Sequence, residues 1–313
     1  MAVQNPHDHF FRNSFSRPEI IKSFIQEYLP ADISTQLDLE SLEAEEASFI
    51  DPELAEYQSD LLYQVTMHDG EPVSIYLLFE HKSYSDDQVA FQLLRYMVKI
   101  WEREMRERKT KSQILPLVIY NGEKAWRVPT DLHSFLKPSA KFETFTPQFN
   151  YLLKDFSHLS DEQIRGDIWL RVCLGIMRSI FSPQLRESLP ELIGLAFELR
   201  EQKPGLEFIR VILYYLTRAT DRVKIEEVQQ VMAKQGAAGK NIMKTMYEEI
   251  LEEGIEKGIE KGIEKGLEQG EFKRAMEIAR RLLQEHSVVT VSEWTGLSIE
   301  VVQELKEGID KAK

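Results

Sequence analysis

The stretch Ser59–Tyr96 decides the fold. It reads SDLLYQV from Ser59, a polar turn HDG at His68–Gly70, the apolar segment VSIYLLFEHK at Val73–Lys82, and then a run with apolar residues at helical spacing. Both apolar segments are rich in β-branched and aromatic residues, and Asp-Gly between two such segments is a strong hairpin signal. The stretch therefore predicts a β-hairpin followed by a helix.

The second strand of this hairpin ends in a pair of charged residues that share one face. Side chains alternate between the two faces of a strand, so Glu80 and Lys82 emerge together while His81 points to the other face. The sequence therefore places an acid and an ammonium on one surface of the strand.

The position of Asp60, in the first strand, depends on the hairpin register. A two-residue loop sets Asp60 against Phe79, which is the wrong face for a shared site. A three-residue loop sets it against Leu78 and diagonal to Glu80, about 7–8 Å away at Cβ, close enough for both carboxylates to share one divalent cation. The sequence thus permits a metal site only with an odd loop or a bulge.

The flanking segments predict helix, three strands, helix, strand. Pro18–Leu29 has apolar residues at helical spacing and is predicted as a first helix, and Asp86–Met105 as an amphipathic helix directly after the hairpin. The continuous apolar run Ile114–Gly122 predicts a buried strand beside that of Glu80. Residues 33–39 and 48–50 are predicted as edge pieces separated by an acidic run.

Two residues of the predicted helix after the hairpin extend the candidate site. Gln92 and Tyr96 are four residues apart, so they lie on one helix face and can orient a phosphate or a metal-bound water. The alternative is that Tyr96 belongs to the core and Gln92 is merely solvated.

These residues carry a resemblance. Asp60 followed by Glu80-x-Lys82 at the end of a buried strand and then a helix resembles the PD-(D/E)xK nuclease core, although Ser59 stands where that motif has Pro. A wider set of sequence motifs is similar to those of the Rpn family of recombination-promoting nucleases, also called YhgA-like. It includes HDxxFR from His7, SDLLY, LFEHKS, LLRY and LPLVIYNG.

The resemblance implies a metal-dependent DNA endonuclease linked to recombination or mobile elements, leaving 5′-phosphate ends. Asp60 and Glu80, helped by the backbone carbonyl of His81, would hold Mg²⁺ or Mn²⁺, and Lys82 would orient the attacking water. Asp8 is a further candidate ligand; the alternative is that it anchors the amino terminus. The fold class implied is α/β, a mixed sheet flanked by helices, with a helical layer and an α-helical tail.

Composition is that of an ordinary soluble protein. The 313 residues are 42% hydrophobic and 29% charged, and no apolar run is long enough to span a bilayer, so no membrane association and a cytoplasmic location are expected. The single Cys173 lies in an apolar run and is expected to be a packing residue.

The net charge of −13 argues against diffuse attraction to nucleic acid. A nuclease needs only a basic surface beside its site, and basic residues on or after the predicted helix are candidates. The alternative is a solvated face balanced by neighbouring glutamates. The basic candidates are Arg95, Lys99, Arg103, Arg106, Arg108, Lys109 and Lys111.

The remaining sequence predicts three regions. Residues 1–235 form the nuclease-like domain, in which 125–160 are loop-rich and successive helices follow from 161 to 234. Residues 236–272 hold a hinge and a GIEK repeat helix, and 273–313 a small helical module that resembles a helix-turn-helix but is acidic. In the repeat, a stripe of glycines lies next to a stripe of aliphatic residues. Each interior glycine lowers the stability of the helix by about 0.8–1 kcal/mol relative to alanine. Self-association into a homodimer or higher oligomer through residues 250–272 would offset that cost; the alternative is a flexible linker.

Two further functions remain open besides the nuclease. A catalytically inert, nuclease-like domain could bind DNA or regulate, and the chain could be an oligomeric scaffold acting through its tail. The sequence has no Gly-x-Ser-x-Gly elbow, no paired Cys site and no dinucleotide fingerprint.

Overall fold

The computed structural model describes residues 5–45, 61–68, 75–109 and 111–311. For a subset of these it describes the backbone alone: 75–80, 249–250, 252–254, 256–257, 260, 264, 268 and 310–311. The described part is mixed α/β and mostly helical. Contacts divide the chain into two compact units, Met1–Met243 and Lys244–Lys313.

The first unit is built on one five-stranded sheet with strand order β1-β2-β3-β4-β5. Strands β1 to β3 pair antiparallel, and β3 to β5 pair parallel. Strand β4 is the predicted continuous apolar strand; its last four residues are almost fully buried and it lies beside β3, as predicted. The strands are β1 (Leu37–Glu45), β2 (Leu61–Met67), β3 (Ile75–Lys82), β4 (Gln113–Tyr120) and β5 (Leu152–Asp155).

Both predicted hairpin registers are wrong. The ladder pairs Leu61 with Phe79 and Leu62 with Leu78, whereas the predicted registers would set Leu61 against Leu78 or Leu77. Leu62 and Tyr63 are both buried, one on each face of β2. A strand covered on both faces has no hydrophobic alternation to fix its register, so the turn decides it. The predicted turn residues Asp69 and Gly70 lie outside the described residues.

Helices cover both faces of the sheet. The predicted first helix and the helix after the hairpin are both present, but α1 precedes them and was not predicted. Its start is fixed locally, because Asn5 accepts a hydrogen bond from the backbone N–H of His7 and Pro6 takes a first-turn position. The helices are α1 (Pro6–Phe15), α2 (Pro18–Tyr28), α3 (Ala31–Ser34), α4 (Val89–Arg106) and α5 (Leu132–Leu136).

The two sheet edges differ from the predicted pattern. The acidic residues Glu43 and Glu45 lie within β1 rather than between two strand pieces, because an edge strand tolerates charge on its solvated side. Residues 48–50 lie outside the described residues. Strand β5 was taken as loop; it is four residues long and its apolar signal is only Leu152-Leu153.

A helical layer completes the first unit, as predicted. Its helices have apolar residues packed inward, and Cys173 is fully buried with its pKa raised to about 12 by that burial. The packing role expected for this cysteine agrees with its position. The helices are α6 (Ile168–Ile180), α7 (Leu185–Phe197), α8 (Lys203–Arg218) and α9 (Ile225–Lys234).

The described tail consists of three helices joined by short turns. Helix α10 (Gly236–Leu282) contains the whole repeat, and the segment predicted as a hinge forms its first turn, where Gly236 adopts a positive φ of 79°. Helices α11 (Val288–Thr295) and α12 (Ile299–Lys311) follow, joined by Gly296 in the left-handed conformation. This is the predicted short helix, glycine turn and helix. Across the described residues, no helix is long and apolar enough to cross a membrane.

Candidate active site

Lys82 is the centre of the candidate site. It is the last residue of β3, and only 7% of it is exposed. Its ammonium Nζ donates to Gln92 Oε1 at 3.0 Å and lies 3.0 Å from Asp86 Oδ2. The crossover helix α4 therefore packs on the face of β3 from which Lys82 projects, and the buried ammonium is held between an amide and a carboxylate.

Gln92 and Tyr96 are brought together as the spacing predicts. The Gln92 amide Nε2 donates to the Tyr96 hydroxyl at 3.4 Å, and Tyr96 is buried in the cluster between α4 and the sheet. Gln92 thus links the Lys82 ammonium to a core residue. The sequence leaves open a site role for both residues or a core Tyr96 with a solvated Gln92. The structure agrees with the second alternative for Tyr96, which is in the core, but not for Gln92, which is hydrogen-bonded.

Asp86 is a site residue that the sequence reasoning missed. One carboxylate oxygen contacts Lys82, and the other accepts the backbone N–H of Gln88 at 2.9 Å, just before α4 begins. A usable signal was present, since Lys82 and Asp86 are four residues apart and an aspartate ahead of a helix commonly caps it. This carboxylate balances the buried ammonium and fixes the turn between β3 and α4.

The residues that follow β4 contact the backbone at Lys82 and Ser83, where β3 ends. The backbone N–H of Asn121 donates to the Lys82 carbonyl at 2.9 Å, and the Asn121 amide donates to the Met177 carbonyl in α6 at 2.7 Å. A Cβ added to Gly122 would lie 2.7 Å from the Ser83 carbonyl, so only glycine fits there. The close approach keeps the chain after Lys82 against the end of the parallel pair.

His81 points to the opposite face of β3, as alternation predicts. Its Nδ1 lies 3.1 Å from Asp8 Oδ1, and its ring stacks on Phe11 at 4.7 Å between centroids. Asp8 therefore contacts the imidazole on the α1 side of the sheet, while Lys82 lies on the α4 side. This is the anchoring role weighed for Asp8; a role as metal ligand stays a prediction.

His7 belongs to the same anchor. Its Nδ1 lies 2.7 Å from the hydroxyl of Tyr215 in α8, and its ring stacks on Phe181. Burial, assisted by the nearby imidazole of His81, lowers the pKa of His7 from 6.5 to about 4. A neutral His7 and the Asp8 contact together fasten α1 between β3 and the helical layer.

The two predicted carboxylate ligands are not described. Asp60 lies outside the described residues, and Glu80 is described by its backbone alone. Within the described part of the chain, no group of three or more His, Cys, Asp or Glu is placed to hold a metal ion. That search did not include the carboxylates of Asp60 and Glu80.

The basic surface expected beside the site is partly neutralised. Arg103 pairs with Glu45 at 2.7 Å, and Lys109 pairs with Glu107 at 2.7 Å. Lys99 lies 3.6 Å from Glu102. Three of the seven candidates thus have acidic partners, which favours the alternative of a balanced face for these positions.

Comparison with known proteins now decides the family. A family model described as "Putative transposase, YhgA-like" matches residues 5–207, well over half of the chain. The chain belongs to this family. Relatives of this YhgA-like chain include one that it matches over nearly the full length of both proteins, and the search of solved structures found no match.

Three curated relatives of this YhgA-like chain include two that are named nucleases and one that is named inactive. The recombination-promoting nuclease RpnD of Escherichia coli O157:H7 is 30% identical over 52% of this chain and 63% of its own length. RpnA of Escherichia coli K12, also named a recombination-promoting nuclease, is 25% identical over 94% of this chain and 95% of its own length. RpnE of the same strain, named an inactive recombination-promoting nuclease-like protein, is 30% identical over 52% of this chain and 54% of its own length.

Proposed function

We propose that this protein is a metal-dependent DNA endonuclease with a PD-(D/E)xK-type site. The observation that carries the proposal is the Lys82 corner, where the ammonium at the end of β3 is held by Gln92 and Asp86. The names of the relatives support a nuclease and a link to recombination or transposition, and from that link we infer that the substrate is DNA.

The register of the hairpin supports a carboxylate pair. The described ladder ends at Leu61 opposite Phe79, and the proposal requires the same register to continue, so that Asp60 opposes Glu80. Directly opposed residues of an antiparallel pair project on the same face, with Cβ atoms about 4.5–5.5 Å apart. This register would bring the two acids closer than the diagonal arrangement predicted from the turn. An odd number of residues separates each pair, so the hairpin keeps the odd loop or bulge that the sequence requires for a metal site.

Side-chain alternation also assigns the two proposed carboxylate ligands to the sheet face from which Lys82 projects. Leu62 packs in the cluster beneath α4, and Lys82 projects toward α4. Because side chains alternate, every second residue counted from Leu62 or from Lys82 belongs to that face. Positions 60 and 80 both satisfy this count, so the proposed ligands would project on the face of Lys82 if the strand pairing continues to Asp60.

The position in the sheet supports the proposal independently. Strands β3 and β4 are parallel neighbours joined by the crossover helix α4. In α/β sheets, ligands bind at the carboxyl ends of parallel strands. Lys82 ends β3 at that edge, and the order of antiparallel hairpin, crossover helix and parallel strand is the order expected for a PD-(D/E)xK core.

The donor set suits a hard divalent cation. Mg²⁺ binds oxygen ligands, commonly one or two carboxylates with several waters, and Asp60, Glu80 and the His81 carbonyl offer that set. A bound Mg²⁺ or Mn²⁺ would supply charge stabilisation for phosphodiester hydrolysis. Asp8 remains a candidate further ligand within the proposal, although its contact with His81 lies on the other face.

Lys82 performs the chain's own part of the chemistry. Its ammonium donates hydrogen bonds to the attacking water and to the negative charge that develops on the phosphate oxygens. Gln92 fixes the ammonium, and Tyr96 fixes Gln92, so the donor is oriented before substrate arrives. Preorganised donors of this kind cost no reorganisation during the reaction.

A plasmid-nicking assay with a metal series tests the function. We expect nicking with Mg²⁺ or Mn²⁺ and none with chelator. Substituting Lys82→Ala, Asp60→Asn or Glu80→Gln should each lower the rate by about 10²–10³-fold, the usual loss for a preorganised group at a developing charge.

Lys109→Ala is the matched control. Glu107 and Lys109 repeat the same spacing of acid and lysine, but they form an exposed ion pair after α4. This variant should nick at the parental rate. If Lys82→Ala and Asp60→Asn cut plasmid as fast as the parent, the hydrolytic assignment is wrong.

An inert DNA-binding or regulatory protein is the second candidate. The observation that favours it is that relatives of comparable identity are named inactive. Under this reading DNA binding would survive Asp60→Asn, depend on residues 271–313, and occur without cleavage under any metal. A scaffold without nucleic acid is distinguished by the absence of DNA binding.

We also propose that the tail pairs with a second copy through residues 250–272. The aliphatic residues of the repeat are 54–63% exposed in the single chain, namely Ile255, Ile259, Ile263 and Leu267. A regular apolar stripe of this kind is unfavourable in water unless something covers it.

A further inference from the structure

We infer that the outer face of α4 is a contact surface for a second copy of this chain, bound antiparallel. We call this face the α4 seam. It consists of Phe91, Leu94, Val98, Trp101 and Met105. The surface is distinct from the repeat of α10 and does not depend on the proposed nuclease activity.

The seam has the spacing of a coiled-coil interface. Its residues follow one another at alternating steps of three and four, which are the a and d positions of a heptad pattern. The inner face of α4 is already used, because it packs on the sheet through a separate buried set: Val89, Leu93, Tyr96, Met97 and Ile100. The helix is therefore apolar on two sides, and the sheet covers one of them. On the other side, Phe91 stacks on Phe135 of α5 at 6.2 Å between ring centroids and Leu94 packs against the core cluster, while Val98 and Met105 are exposed.

The seam is accessible in the single chain. Phe91, Val98 and Met105 are 46%, 39% and 52% exposed, and Leu94 and Trp101 are partly buried. Trp101 is held in place by its indole N–H, which donates to the Ser112 carbonyl at 3.0 Å. Three exposed apolar residues on one side of a helix, with partly buried apolar residues between them, are typical of an interaction surface.

Charge selects a second copy as the occupant and antiparallel as the orientation. Arg95 and Glu102 occupy the e positions, which border the seam on one side. In an antiparallel pair each e position faces the partner's e positions, so Arg95 of each copy meets Glu102 of the other. Glu102 is exposed and 3.6 Å from Lys99, a loose pair that can exchange.

A parallel pair would lack this complementarity. There the e positions face the partner's g positions, which on α4 are Ala90, Met97 and Glu104. All three are buried against the rest of the first unit. Arg95 and Glu102 would then have no charged partner across the contact.

Apolar residues also match in the antiparallel alignment. With a positions packed against d positions, Val98 meets Trp101 of the second copy and Leu94 meets its Met105. Each contact occurs twice, as a two-fold interface requires. A seam of about two heptads is short for a stable interface, so its dimer should be weak alone and is best trapped covalently.

Cysteine crosslinking of the full-length protein tests the orientation. We expect a short bifunctional thiol crosslinker to join Phe91→Cys to Met105→Cys when the two variants are mixed. Neither variant should crosslink with itself, because like ends lie about 16 Å or more apart along the axis at 1.5 Å per residue. The native Cys173 is fully buried and gives no background.

Arg106→Cys is the matched control, since it is exposed on α4 but lies off the seam. Mixed with Phe91→Cys it should crosslink far more slowly than Met105→Cys does. Self-crosslinking of each seam variant would indicate a parallel pair and overturn the proposal. Crosslinking no better than that of Arg106→Cys would show that no second copy occupies the seam, and association through the tail alone gives this result.

A charge exchange gives an independent readout. Arg95→Glu should weaken the seam dimer about two- to thirty-fold, because two exposed ion pairs are lost. Combining it with Glu102→Arg should restore crosslinking between Phe91→Cys and Met105→Cys. If the double exchange crosslinks no better than Arg95→Glu alone, the pairing of these residues is wrong.

Discussion

At the scale of single residues, the anchor around His7 and the corner around Lys82 lie on opposite faces of β3. On one face, His81 contacts Asp8 and stacks on Phe11. On the other face, Lys82 contacts Gln92 and Asp86. The first set fastens α1 to the strand, and the second presents a charged group, so substitutions in the two sets should affect stability and activity separately.

The His7 anchor predicts a pH dependence of stability. Burial lowers the folded-state pKa of His7 to about 4, below its ordinary 6.5. Between these values the unfolded chain takes up a proton that the folded chain excludes, so stability is complete above pH 6.5 and falls as the pH drops toward 4. Between pH 7 and 4.5 this residue should remove roughly 1–3 kcal/mol from the free energy of unfolding.

Urea denaturation of the parent and of His7→Gln at both pH values measures this. The variant retains a group that can bond the Tyr215 hydroxyl but has no proton to gain. Its free energy of unfolding should therefore fall less than that of the parent on acidification. An equal fall in the two proteins would show that His7 is not held neutral by the fold.

Residue-level prediction succeeded where short spacing decides the geometry. Alternation in β3 and the four-residue step from Gln92 to Tyr96 both follow from local backbone geometry. Asp86 was missed because its role depends on where the Lys82 side chain turns after leaving the strand. The contact between Asp8 and His81 joins residues far apart in sequence, which no local pattern specifies.

At the scale of elements, periodicity identified the long helices and the buried strand β4, and failed where the signal is short or two-sided. Strand β5 has four residues, and β2 is buried on both faces, so its pattern fixes no register. Helix α1 was missed because its amino-terminal sequence is dense in histidine and phenylalanine, which are weak helix formers.

Replacing glycines in the α10 repeat with alanine distinguishes an isolated helix from a helix that pairs with a second copy. A Cβ added at Gly258, Gly262 or Gly266 meets nothing within 4 Å in the single chain. Replacing the three with alanine should therefore stabilise an isolated helix by about 0.8–1 kcal/mol each. If a second copy approaches over the glycines, the same change should weaken association, because the backbones can no longer come close.

Sedimentation and circular dichroism of the triple variant measure both effects. They should be compared in the native and the Arg95→Glu backgrounds, so that the α4 seam does not mask the tail. We expect more helix and less oligomer. A variant that gains helix and associates as strongly as the parent would exclude contact through the glycine stripe.

At the scale of the whole molecule, the family and the mixed α/β architecture agree with the sequence prediction, and the order of hairpin, crossover helix and parallel strand is present. The net charge of −13 and the ion pairs of Lys99, Arg103 and Lys109 reduce the positive charge near α4. Under the proposed function, we therefore expect substrate binding to depend strongly on the site itself, where a bound cation would reverse the local charge.

The central claim is that Asp60 and Glu80 hold one cation beside Lys82, and Mn²⁺ binding measured by calorimetry tests it most directly. We predict one site in the parent, lost in both Asp60→Asn and Glu80→Gln. Lys82→Ala should keep it or bind more tightly, because a neighbouring positive charge is removed. Unchanged Mn²⁺ binding in Asp60→Asn and Glu80→Gln would contradict the claim.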